Sequence, residues 1–107
     1  MITITIYRGR DGIERVSSVG HADYAEHGQD IVCSAVSMLF INTLNSIEVL
    51  CKDRHIDNEV SEGVIDRTYP KGLSHDGKLL MESMIMGLTE TKKQYGSQYL
   101  TINFKEV

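Results

Sequence analysis

The chain has 107 residues, 41% of them hydrophobic, and a single proline. That supports one modest core and not two domains, so residues 1–107 read as one domain. Fifteen acidic against 11 basic residues give a net charge of −4, and no basic run exceeds two residues; this argues against direct nucleic-acid binding through phosphate neutralisation.

In chain order, Ile2, Ile4 and Ile6 alternate with Thr3, Thr5 and Tyr7, the period-two pattern of a strand with one buried face. Asp11-Gly12 signals a hairpin into a second strand, Ile13 to Val19, in which Val16 and Val19 fall on opposite faces and imply a bulge. Residues 20–29 read as a loop. Val32, Val36, Phe40, Leu44, Ile47 and Cys51 then recur every three or four residues and predict a long amphipathic helix. The stretch from His55 to Tyr69, rich in Val, Ile and Thr, reads as a third strand, whole or broken, with Gly63 as a bulge and Pro70 as its stop. Leu80, Met84 and Leu88, flanked by Met81 and Ile85, predict a second helix over 76–95, in which Gly87 costs about 1 kcal/mol relative to alanine. Leu100, Ile102 and Phe104 close the chain as a strand. The order β-β-α-β-α-β predicts an α+β fold, a single mostly antiparallel sheet of about four strands with two helices packed on one face. If the other face is partly apolar, a homodimer would bury it.

No apolar run of membrane-spanning length and no signal-peptide pattern is read, so the expected location is the cytoplasm, without membrane association. Cys33 and Cys51 lie eighteen positions apart on the first helix, about 27 Å at helical rise, so both are expected as free thiols.

The segment that invites chemistry is Gly20 to Cys33, GHADYAEHGQDIVC. With Asp30 as N-cap, Cys33 falls in the first helical turn, where free amides and the helix dipole favour a thiolate and can receive an oxyanion. Gly20 and Gly28 let the loop bend back, so that His21 can reach the thiol as general base and proton donor, with Asp30 either capping or orienting the imidazole. The plainer reading makes Cys33 buried filler on an apolar helix. Cys51 is read that way. His27, His55 and His75 are read as solvated. The spacing of His21, His27 and Cys33 matches no standard metal motif, so no metal and no cofactor are expected.

At these residues the chain resembles the ribosomal-processing cysteine proteases of the Prp family. The ordered motif is Gly20-His21-Ala22, then Gly28-Gln29-Asp30-Ile31-Val32-Cys33, then Ser37. The resemblance implies that Cys33 is the nucleophile and His21 its partner. It further implies that Gly20, Ala22, Gly28, Ser34 and Ser37 are candidate substrate-binding residues. The implied substrate is a peptide, the N-terminal extension of large-subunit ribosomal protein twenty-seven, cut after a motif with adjacent aromatic residues during ribosome maturation. A homodimer is implied as well. A loop over 22–29 that orders on bound peptide is expected from its polarity and its place between the pair. The competing reading is a non-enzymatic ribosome-associated protein-binding module.

Overall fold

A computed structural model describes residues 1–20 and 27–107, with the backbone alone for 27–30. Strands β1 (Ile2–Gly9) and β2 (Gly12–Val19) form the predicted hairpin, followed by helix α1 (His27–Ser46), whose last turn, Ile47–Cys51, widens to π geometry. Then come β3 (Ile56–Ser61), β4 (Val64–Thr68), helix α2 (His75–Tyr95) and β5 (Leu100–Glu106). The sheet has five strands in the order β3-β4-β2-β1-β5, antiparallel throughout except that β5 runs parallel to β1.

The predicted class therefore holds, with one more strand than expected. The additional strand arises because Gly63 is not a bulge: its φ of 74° makes it the turn between two separate strands. The bulge of the first hairpin lies where Tyr7 faces Arg15 and Arg8 faces Ile13, which leaves Glu14 unopposed.

Ile2, Ile4 and Ile6 of β1 and Val16 of β2 are buried under Val32, Val36, Phe40, Leu44 and Ile47 of the first helix and Met81, Met84, Ile85 and Leu88 of the second. The helical stripes and the alternating strand thus meet in one core. The stretch Ile31–Cys51 contains an 18-residue window of mean hydropathy 1.4 and is, by length and composition, long and apolar enough to cross a membrane, contrary to the reading of the sequence. In the fold its Val32-Val36-Phe40-Leu44 stripe is part of the core.

The connection after the first helix is tied to the start of the second. Asp53 accepts hydrogen bonds from the Ser74 amide (3.0 Å) and hydroxyl (2.9 Å), while the Ser74 hydroxyl accepts from the Gly77 amide at 3.1 Å. Ser74 is thereby an N-cap that is itself held in place.

The other sheet face is polar at its centre, with exposed Val19 and Ile56 toward its margin. Thr5 pairs with Ser17, and Arg15 lies 4.5 Å from the Tyr7 ring while donating to both carboxylate oxygens of Asp66, at 2.8 and 2.6 Å. Val19 and Ile56 make this face partly apolar, the condition on which the homodimer expectation rests. On the helix-facing side Arg67, 9% exposed, donates to Asp57 of the edge strand at 2.7 Å.

These pairs make a prediction about acid stability. The hydrogen bonds from Arg67 and Arg15 hold the Asp57 and Asp66 carboxyls below the usual carboxylate range. Because the folded values are depressed, the unfolded chain binds more protons in acid. Their stabilisation is thus complete above about pH 5 and lost as pH falls through the folded values. Thermal melts between pH 6 and 2.5 should show falling Tm at the acid end, with a shallower fall in Asp57→Asn/Asp66→Asn. A parent Tm flat across that range would contradict it.

Candidate active site

The four-residue spacing of Cys33, Ser37 and Ile41 sets them on one face of the first helix, and that face overhangs the β2–β4 half of the sheet. Between them runs a groove of about 210 Å³, lined also by Ser18, Gly20, Ser61, Gly63, Val64 and Ile65. Its existence follows from residue size. Ser18 lies opposite Ile65 in the ladder, on the same face as Ile4, where a larger side chain would fill the space under the helix. Ser18 and Ser37 supply hydroxyls, Ile41 and Ile65 supply apolar surface, and among the described lining residues Cys33 is the one that can ionise. Such a mixture suits a peptide, with hydroxyls for its backbone and carbons for its side chains.

Gly20 is at the head of this groove. Its φ is 112°, its amide donates to the Gly63 carbonyl at 2.8 Å, and a Cβ there would overlap the Met1 carbonyl. Only glycine suits that conformation and that contact. His21 and Ala22 lie outside the described residues, as does the side chain of Asp30.

Four expectations are corrected here. The first helix starts at His27, so Asp30 lies inside it and is not the N-cap. Cys33 falls in the second turn, and the free amides of the helix start are a turn ahead of it. His27-Gly28-Gln29 contains no residue that stops a helix, and the cost of one glycine does not prevent propagation. Residues 27–29 are accordingly helical and not part of a loop, and Gly28 is not a loop bend. Ser34 does not line the groove; it borders a separate hollow of about 450 Å³ on the outward side of the helix with Met38, Asn42 and Asn45. Ser37 borders both.

Cys33 and Cys51 are half-buried free thiols. His75 is exposed, but His55 is half-buried, 3.9 Å from Glu48, and not solvated as expected. Among the described residues no three His, Cys, Asp or Glu side chains gather into a metal-binding set. Ser18, Ile41, Ser61, Gly63, Val64 and Ile65 had not been singled out for the site. The one local sign was Ser18, a polar residue on a face that otherwise carries Ile and Val.

A thiol that opens into a peptide-sized groove on an α+β frame suits a cysteine protease, and comparison with known proteins assigns the chain to that class. The family described as Cysteine protease Prp matches residues 1–100, and the chain belongs to it. The ribosomal processing cysteine protease Prp of Bacillus subtilis (strain 168) is 34% identical over 101 residues, 89% of this chain and 90% of that protein. Two crystal structures of an essential ribosomal processing protease Prp from S. aureus each cover 98% of this chain and 100% of theirs. The one in complex with a substrate peptide has a TM-score of 0.86 at 26% identity. The one with a covalently linked product peptide has 0.84 at 27%. Family membership sets aside the non-enzymatic reading.

Proposed function

We propose that this protein is the endopeptidase that removes the N-terminal extension of large-subunit ribosomal protein twenty-seven, a step needed for ribosome maturation, with Cys33 as nucleophile and His21 as its acid–base partner. One observation carries the reading: Cys33 and Gly20, the residue directly before His21, line the same groove. The relatives' names, which specify ribosomal processing, and their complexes with peptides support the substrate class.

In this mechanism His21 takes the thiol proton and the Cys33 sulfur adds to the scissile carbonyl carbon. The tetrahedral adduct collapses, the C–N bond breaks, and His21 returns the proton to the leaving amine. Water, deprotonated by His21, then attacks the thioester and restores the thiol as the new carboxyl product leaves. Gly20 and Ser37, both on the groove wall, contact the peptide. No cofactor is required for these steps.

The protein acts in the cytoplasm, where both thiols stay reduced. It acts as a homodimer, whose apolar contact is supplied by the outward face of the first helix. Met38 is 71% exposed there, beside Ile41.

Alkylation tests the nucleophile. Iodoacetamide near neutral pH should modify Cys33 at least about tenfold faster than Cys51, read by peptide mapping. Equal rates at the two thiols would contradict the assignment.

A further inference from the structure

We propose that Gly63, in the β3–β4 turn, is a positioning residue for the catalytic pair: its carbonyl fixes Gly20 and so sets the direction in which the chain leaves β2 toward His21. The inference rests on the assignment of His21 and Cys33 as that pair.

The observations come from both sides of Gly20. On one side its amide donates to the Gly63 carbonyl at 2.8 Å. This bond adds one contact to a ladder that has just paired Ser18 with Ile65 and Val19 with Val64, so Gly20 is held by the sheet's last rung and not by a free loop. On the other side the Met1 carbonyl leaves no room for a Cβ, and that terminal segment is itself held by the Ile2 amide donating to Tyr99 at 3.0 Å. Gly20 at φ 112° and Gly63 at φ 74° both occupy the left-handed half of backbone space. A change of backbone angle at Gly63 would redirect its carbonyl, and Gly20 would follow. Gly20, Gly63 and Cys33 line one groove, so a small rotation at Gly20 alters the approach of the next residue to the sulfur. Among the described lining residues none but the thiol is ionisable, so what the turn contributes is geometry and not charge. A displacement of about 1 Å at a reacting group can cost about 100-fold in rate.

The test compares Gly63→Asn, Gly63→Ala and Gly63→Val. Asparagine accepts the left-handed region, alanine less readily, and a β-branched valine least. With a peptide spanning the ribosomal extension, kcat should fall least for Asn and further for Ala. For Val it should fall about 10- to 100-fold, with KM changing less and the pH profile of kcat/KM displaced. If Val does not fold, the Asn and Ala variants carry the comparison, and equal kcat in those two overturns the proposal. Parent-like kcat and pH profiles in all three variants overturn the positioning role alone, even where Tm falls. An equal loss of kcat in Asn and Val does the same, because the conservative variant then fails to rescue. A parent that cleaves nothing, or a Cys33→Ala variant that cleaves as the parent does, overturns the proposal together with the catalytic assignment.

Discussion

Cys33→Ala should lower kcat/KM for the ribosomal peptide by about 10⁴-fold or more, because the covalent route is lost along with the nucleophile and no other described thiol or hydroxyl takes its place. Ser37, one helical turn further on, is the nearest hydroxyl along the chain among the described residues of the groove wall. A hydroxyl there without a positioned base is a weak nucleophile. His21→Ala should fall by a comparable factor, and the double variant should be no worse than the poorer single one, since a nucleophile and its base act as a unit. Cys33 is only half-buried, so removing its sulfur should cost no more than about 1 kcal/mol of stability. Activity and fold are thereby separable. A Cys33→Ala variant with more than a tenth of parental activity would sink the covalent mechanism, whatever its Tm.

The second large effect is on stability. Phe40→Ala should destabilise the fold by about 3–5 kcal/mol, since Phe40 is 1% exposed and belongs to the core formed by both helices and the sheet. Domains of this size have about 5–15 kcal/mol in all, so the loss is a large part of the whole. It corresponds to a Tm lower by at least about 10 °C. Phe40 follows Cys33 by two helical turns on the same helix, and the groove is the gap between that helix and the sheet. Looser seating of the helix should reach the site, and cleavage at 37 °C should fall with the folded fraction. Leu79→Ala, at a residue 64% exposed on the second helix, is the control and should move Tm by no more than about 2 °C. Equal Tm shifts in the two variants would contradict this account of the core.

What the sequence made legible was whatever depends on local periodicity. Ile2-Ile4-Ile6 marked a strand, Val32-Val36-Phe40-Leu44-Ile47 marked a buried helix face, and the structure buries all of these residues. Gly63 was misread because a glycine within a Val- and Ile-rich run signals a bulge or a turn equally well. Only the pairing of Val60 with Ile65 and Ser61 with Val64 selects the turn. The Asp30 cap failed for a similar reason: three polar residues ahead of an apolar stripe resemble a loop, while helical hydrogen bonding propagates through them.

Of the site, Cys33 and Gly20 were legible from the motif, and the groove brings them together. Ser18, Val64 and Ile65 were not legible, since they meet Cys33 only through the β2–β4 pairing. No spacing along the chain encodes that neighbourhood. Ser34 shows the converse: it stands next to Cys33 in sequence, yet one residue along a helix turns a side chain by about 100° and points it to a different surface.

The measurement that tests the central claim most directly is a mass spectrum of a synthetic peptide spanning the ribosomal N-terminal extension after incubation with the reduced protein. The account predicts two product masses that sum to one cut at a single bond, with the protein's own mass unchanged at the end. A peptide still intact after prolonged incubation with folded, reduced protein would contradict it.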